Sequence, residues 1–341
     1  MFLPLTEIIF NSISDSQRVG ILSSEYAKIL FSGSIIIIFP CVANAVLRGE
    51  GDAKKAMYGL MVGSFANIIL DPFFIYTLNL GVAGAAWATV FSLFLSVLIF
   101  VYWLFIKKSS FLYVTFKAFK FKKDILKDIF RVGIPSAMTQ ISVSVSLFLL
   151  NIIVNLVGGD DGVAVLTSGW RILMMGVIPL LGIGPAVTVV TGAAYGSKNK
   201  SKLNTGYLYA IKIGLIIELF IAAIIFIFAS EIAFLFSYSV DSSIIFDDIV
   251  YFLRITAIYY PIMPFGVLTA SMFRGIGHGT KSLIISVLRA IILQTTIAYI
   301  LAINLGFGLV GVWIGMVLGA FISITIAFIW GKITIENIFK K

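Results

Sequence analysis

The chain contains nine apolar runs, each long enough to cross a lipid bilayer as an α-helix. A helix of about 20 residues spans the hydrocarbon core. Of the 341 residues, 60% are hydrophobic and only 12% are charged, with a mean hydropathy of +1.07, whereas soluble proteins average about 25% charged. The sequence therefore predicts an all-α polytopic membrane protein. Its nine predicted transmembrane helices cover residues 25–47, 55–78, 84–106, 129–157, 163–194, 204–229, 249–273, 281–304 and 308–330.

Composition excludes several classes of protein. The chain has one cysteine, Cys41, and one histidine, His278, which we expect in a solvated loop. A disulfide framework, a zinc site and histidine-based catalysis are therefore not expected, and the prediction is that the protein is no enzyme. The sequence contains no ATP-binding motif, so a primary pump is not expected. We expect no cofactor.

Charge is distributed unevenly between the connections. The connections beginning near Arg48, Lys107, Lys198, Arg274 and Lys332 hold 19 of the 25 basic residues. The alternate connections carry mostly acids. This split follows the positive-inside rule and places the lysine-rich loops and the C-terminus in the cytoplasm of a multi-pass cell-membrane protein. It also explains the net charge of +9 by contact with membrane lipids, so that no nucleic-acid partner is expected.

Two parts of the chain repeat each other. Arg48-Gly-Glu-Gly-Asp closes one predicted helix, and Arg274-Gly-Ile-Gly-His closes another 226 residues later. Each is followed by a helix and then by a glycine-rich turn, at Gly81 and at Gly308. Parallel repeats of this kind occur in several transporter folds. The prediction is two lobes: an incomplete N-terminal lobe (1–106), a basic cytoplasmic linker (107–127) and a six-helix C-terminal lobe (128–341).

The comparison of the two lobes also predicts that the first is shortened. Arg274 lies far deeper in its lobe than Arg48 does, so the first two to three helices of a complete first lobe have no counterpart in this sequence. Residues 1–13 are apolar but too short to span, and we expect them to be the end of a further helix.

Asp71 is an acid inside a predicted span. An acid at the bilayer centre costs roughly 2.5–3.5 kcal/mol, and such residues usually bind ions, protons or substrates. Asp71 follows Asn67 by four residues, hence on the same helix face, and Pro72 removes an amide donor beside it. Thr89 follows across a short external turn. These groups offer oxygen ligands for Na⁺ or one carboxyl for a proton; alternatively, Asp71 caps the end of its helix.

Six motifs, by their order and spacing, resemble those of the multidrug and toxic compound extrusion (MATE) transporters, with the archaeal members of the DNA-damage-inducible branch most similar. The motifs begin at Asn44 (NAVLRGEGD), Asn67 (NIILDP), Gly81 (GVAGAA), Gly133 (GIPS), Gly192 (GAAYGS) and Met272 (MFRGIG). The resemblance implies a two-lobed antiporter that works by alternating access. It also implies export of cationic or amphipathic drugs or metabolites in exchange for H⁺ or Na⁺.

The resemblance further implies a cation site in the first lobe. The matching residues here are Asn67, Asp71, Thr89 and Tyr26, whereas the Asp that the family carries on its first helix has no counterpart. Asn44, in the inner part of its helix, either lines the substrate cavity or serves packing. No oligomer signal is visible, so a monomer is expected.

Three other functions compete with drug export. A lipid-linked oligosaccharide flippase shares the two-lobed plan, but it would need several basic residues in a central cavity, and here they are scattered. A membrane-embedded enzyme would need a cluster of acids or histidines at one membrane face. An inactive truncated remnant is the third alternative, because the first helices are absent from the sequence.

Overall fold

The computed structural model describes residues 6, 7, 10, 16–107, 121–236 and 245–339. All regular elements in these ranges are helices, which confirms the predicted all-α class. Most of the predicted stub 1–13 and residues 108–120 of the predicted linker lie outside the described residues. The α-helices are α1 Gln17–Ser32, α2 Ser34–Gly49, α3 Ala53–Pro72, α4 Gly81–Val101, α5 Lys123–Gly196, α6 Lys200–Ile227, α7 Ala229–Phe236, α8 Phe246–Thr256, α9 Tyr259–Gly275, α10 Gly279–Val287, α11 Thr295–Tyr299 and α12 Gly308–Asn337.

Four π-helices continue some of these elements. They are π1 Phe73–Thr77 after α3, π2 Tyr102–Ile106 after α4, π3 Leu288–Gln294 after α10 and π4 Ile300–Asn304 after α11. A π-helix bonds each amide to the carbonyl five residues earlier, and such segments are frequent at functional sites.

The helices form two compact units, Met1–Lys120 and Phe121–Lys341. In the first unit, α4 packs against α1, α2 and α3. In the second, α9 is central and packs against α5, α6 and α12. The predicted lobe and linker boundaries stay a prediction; α5 begins at Lys123, inside the predicted linker.

Six continuous helical segments in the described part of the chain are long and apolar enough to cross a membrane. Two further spans are formed by bent pairs: α1 with α2, which meet at 56°, and α8 with α9, which meet at 53°. The structure thus breaks two runs that the sequence predicted as single helices, 25–47 and 249–273. The predicted number of nine spans stays a prediction.

The longest helix, α5, contains two predicted spans. Its 74 residues include Gly159, whose φ of 57° and ψ of −153° are not helical. Only glycine adopts this backbone region readily. Because a bilayer core accommodates about 20 helical residues, Gly159 supplies the change of direction that the sequence assigned to a loop between residues 157 and 163.

The two Arg-Gly motifs form the same turn. After α2, the Asp52 amide donates to the Leu47 carbonyl at 2.9 Å; after α9, the His278 amide donates to the Phe273 carbonyl at 2.8 Å. The last glycine of each motif has a positive φ, 88° and 77° respectively, as helix C-termini of this type require. The sequence repeat is therefore also a repeat of backbone geometry.

The glycine-rich turns repeat as well. Both π1 and π4 precede such a turn, and both end with an amide bonded to the carbonyl five residues earlier at 3.0 Å. A Cβ placed on Gly84 or on Gly311 would lie 2.7 Å or 2.8 Å from backbone atoms of the preceding segment. The close approach of α4 to π1, and of α12 to π4, thus depends on glycine.

The spacing of the copies changes by one residue between these turns. Asp52 and His278 are 226 residues apart, whereas Gly84 and Gly311 are 227 apart. The second copy contains π3 in this interval, where α3 of the first copy is a regular α-helix. Because a π-turn holds one more residue than an α-turn, π3 accommodates the extra residue without changing the turns on either side.

Candidate functional site

The predicted pair of Asn67 and Asp71 is joined in the structure. Asn67 Nδ2 donates to Asp71 Oδ1 at 3.2 Å, and both side chains are half-buried near the end of α3. The i, i+4 spacing places the two groups on one helix face, as the sequence predicted. The chain then continues through Pro72 into π1. An amide and a carboxyl group therefore meet where the backbone hydrogen-bond pattern changes.

The other two predicted site residues do not bond to this pair. Thr89 Oγ1 donates to the Ala85 carbonyl of its own helix, α4, at 3.0 Å. Tyr26 is half-buried on α1. In the described part of the chain, no hydrogen bond links either of them to Asp71. Since α4 packs against both α1 and α3, the three helices belong to one bundle, and the role of these residues stays a prediction.

The donor set allows a test of Na⁺ binding at Asp71, Asn67 and Thr89. Sodium, like other hard cations, takes oxygen ligands. In the structure the amide nitrogen of Asn67, not its oxygen, faces the carboxyl group. A cation held between them would require the amide to rotate so that Oδ1 faces the ion. The described arrangement thus fits Na⁺ binding only after that rotation.

Asn44 lies between two helices. Its side chain is 3% exposed, and its Nδ2 donates to the Ala56 carbonyl of α3 at 2.6 Å. Asn44 Oδ1 is buried without a partner. The side chain therefore holds the end of α2 against the start of α3, and its predicted contact with substrate stays a prediction.

Sequence reasoning missed Glu218, which lies in the apolar segment α6. Its side chain is fully buried, and both carboxyl oxygens have no hydrogen-bond partner. The signal was available, because the flanking Ile216-Ile217 and Leu219-Phe220 place the acid within an apolar run, as for Asp71.

His278 is not the solvated residue that the sequence suggested. It is half-buried in the turn between α9 and α10, and its Nδ1 is buried without a partner. Burial lowers the pKa of His278, and the nearby positive charges of Lys281 and Arg131 lower it further. Both effects favour the neutral imidazole. Among the described residues, no group of three His, Cys, Asp or Glu side chains could hold a metal ion.

Comparison with known proteins assigns this helical architecture to a family. The family model MatE matches residues 1–73 and 135–300, which is more than half of the chain. The chain belongs to the MATE family, whose members are multi-pass membrane transporters and not enzymes.

Two relatives and two solved structures illustrate the similarity. The probable multidrug resistance protein NorM of Thermotoga maritima is 25% identical over 334 residues, covering 92% of this chain and 68% of that protein. The multidrug export protein MepA of Staphylococcus aureus is 24% identical over 310 residues, covering 91% and 67%.

Both structures superpose on the whole chain. A crystal structure of MATE in complex with MaL6 matches with a TM-score of 0.97 and 45% identity, covering 100% of this chain and 76% of that one. A MOP superfamily transporter from Pyrococcus furiosus, described as having a binding pocket of reverse polarity that suggests a different function, matches with the same TM-score and identity and 75% coverage.

Proposed function

We propose that this protein is a secondary multidrug antiporter, which exports cationic or amphipathic small molecules in exchange for H⁺ or Na⁺ by alternating access. The observation that carries the proposal is the contact between Asn67 Nδ2 and Asp71 Oδ1 in a membrane-spanning segment. The names of the relatives NorM and MepA, a multidrug resistance protein and a multidrug export protein, support the substrate class.

Asp71 is the group that couples ion and drug in this proposal. When ionised, its carboxylate accepts the Asn67 amide. Proton binding removes the negative charge and weakens that hydrogen bond, because bonds to ionised groups are stronger than those to neutral ones. Pro72 supplies no amide donor, so the backbone beside Asp71 is less constrained than a regular helix. The change in charge is thereby transmitted to the join between α3 and π1.

The test is transport of the cationic dye ethidium by the full chain in lipid vesicles under an imposed proton gradient or sodium gradient. We expect Asp71→Asn to abolish gradient-driven export. Glu25→Gln serves as the matched control, because Glu25 is an exposed acid on α1 of the same unit. Unchanged export by Asp71→Asn would contradict the proposal, and so would translocation of a lipid-linked diphosphate without any ethidium export.

The proposed orientation has the C-terminus and the lysine-rich loops in the cytoplasm. The turns after α2 and α9 share one geometry, and a third copy follows α5, where the Asn199 amide donates to the Ala194 carbonyl at 2.9 Å. All three lie beside basic residues, as cytoplasmic ends do. Labelling of Lys198→Cys in a Cys41→Ser background by an impermeant maleimide, in intact against opened cells, tests this. Labelling in intact cells would place Lys198 outside the cell and contradict the proposed orientation.

A further inference from the structure

Glu218 is a buried carboxyl group that the proposed antiport does not use. It lies about two thirds of the way along α6, and its side chain has no exposed surface. Neither oxygen of the carboxyl group has a hydrogen-bond partner. An isolated carboxylate in such a place is strongly disfavoured, and a buried group of this kind becomes neutral instead. Burial without partners therefore favours the protonated form of Glu218.

The surroundings of Glu218 are tightly packed. One turn earlier on α6, a Cβ on Gly214 would lie 3.1 Å from Leu180 of α5 and 3.2 Å from Pro264 of α9. Glu218 thus lies on the face of α6 that packs against both α5 and α9. This packing leaves no direct contact with water for the carboxyl group, so the helices must move before its proton can leave.

Tyr260, at the start of α9, lies near enough to Glu218 for an electrostatic interaction. The two side chains are not hydrogen-bonded, because neither Glu218 oxygen has a partner. The Tyr260 hydroxyl lies 3.5 Å from the Ile172 carbonyl of α5, which is a long hydrogen bond that a better acceptor can replace. Six charged side chains on α6 and its neighbours α5, α7 and α8 are exposed: Lys212, Arg171, Glu231, Asp247, Asp248 and Arg254. On α12, Lys332 bonds to Asn204, near the opposite end of α6 from Glu218.

Tyr260 also lies next to a hinge. The break between α8 and α9 falls just before Tyr259, and the two helices meet there at 53°. Tyr259 in turn accepts a hydrogen bond from Arg289 Nη1 of π3 at 3.1 Å. A change at Tyr260 therefore reaches a bent helix pair and, through its neighbour, a π-helix. Both are elements that can change shape without breaking a regular helix.

We propose that Glu218 is a second proton-binding site of this transporter, in the unit Phe121–Lys341, and that Tyr260 is its positioning residue. In the proton-loaded form, the carboxyl group is neutral and closed off between α5, α6 and α9. When these helices separate, the carboxyl O–H bond breaks and the proton passes to water. The carboxylate left behind accepts the Tyr260 hydroxyl in place of the Ile172 carbonyl, which alters the bend between α8 and α9.

Infrared spectroscopy of the full chain in lipid vesicles tests the proton directly, without relying on drug transport. We expect the C=O stretch of a protonated carboxyl at neutral pH, shifted by ¹³C-glutamate labelling and lost in Glu218→Gln. Glu231→Gln, which alters an exposed acid on α7, should retain the band. The band should disappear reversibly as the pH is raised from about 5 to about 9, and Tyr260→Phe should shift the midpoint of that loss.

The outcomes separate this inference from the proposed function. If the protein exports no ethidium but the band titrates, the proposed function fails and the proton site stands. If Glu218→Gln removes no carboxyl band, the residue is ionised and the inference fails. It also fails if the band persists unchanged at every pH at which the protein stays folded. The carboxyl band and its shift on ¹³C-glutamate labelling are measured on the unmodified protein. Both readouts would therefore remain if Glu218→Gln misfolded.

Discussion

The crossing of α9 over α5 depends on Gly275, and the substitution Gly275→Ala tests that dependence. A Cβ at this position would lie 2.4 Å from the Thr188 carbonyl oxygen and 2.4 Å from Thr191 Oγ1. Real Cβ atoms essentially never come closer than 3.0 Å to such atoms. The Thr188 carbonyl belongs to the backbone and cannot rotate away. The two helices must therefore move apart, and membrane helices rely on such small residues for close packing.

The expected cost follows from this overlap. Forcing an extra methyl group into a packed contact destabilises by about 1–3 kcal/mol. Replacing glycine by alanine inside a helix returns about 0.5–1 kcal/mol, but Gly275 is the last residue of α9, so little of this gain applies. A net loss of about 1–3 kcal/mol corresponds to a fall of about 2–12 °C in the unfolding midpoint of a unit of this size.

Thermal unfolding of the purified protein in detergent measures this. The matched control is Gly182→Ala on α5, because nothing lies within 4 Å of a Cβ built there. We expect Gly182→Ala to melt at or slightly above the temperature of the unmodified protein. Equal midpoints for the two variants would refute the claim that Gly275 sets the distance between α5 and α9.

Two further predictions concern the second unit. Ser146 Oγ donates to the Ala290 carbonyl of π3 at 2.6 Å, so Ser146→Ala should lower stability by about 0.6–1.7 kcal/mol in the same unfolding assay. The control Ser144→Ala loses only a 3.4 Å bond within its own helix and should leave stability unchanged; equal losses in the two variants would contradict the reasoning. The pKa of His278 is depressed below its ordinary 6.5, so the unfolded state binds more protons and stability falls as pH drops through about 6.5; His278→Asn should lose that part of the pH dependence, whereas an unchanged dependence would show that other groups cause it.

Helical spacing made part of the candidate site predictable. Asn67 and Asp71 are four residues apart on one helix, and the structure joins them. Thr89 was expected near Asp71 because few residues separate them, but a threonine inside a helix readily bonds to the carbonyl four residues earlier. It does so here, with Ala85. Spacing along a helix is fixed by geometry, whereas distance across a turn depends on packing that the sequence does not display.

Burial was the least predictable property. The sequence allowed Asn44 either to line a cavity or to make a packing contact. Only the structure shows its hydrogen bond to the Ala56 carbonyl. His278 ends a glycine-rich motif and was expected in a solvated loop, yet the turn leaves it half-buried. The apolar flanks of Glu218 were visible in the sequence. That its carboxyl group has no hydrogen-bond partner could be learned only from the packing of α5 and α9 around it.

The turns that recur in the two units have the same backbone geometry but different side chains. Counting from the shared glycine turns, Asp71 corresponds to Ala298 and Thr89 to Met316. The copy that carries the alanine nevertheless keeps the same π-helix, the same positive-φ turn and the same close glycine contact. The two copies therefore share the hydrogen bonds that a backbone must satisfy within lipid, while the side chains at equivalent places differ. The backbone of this repeat therefore forms with or without a carboxyl group at the position of Asp71. In the second unit, the buried carboxyl group is that of Glu218 and lies on a different helix, α6.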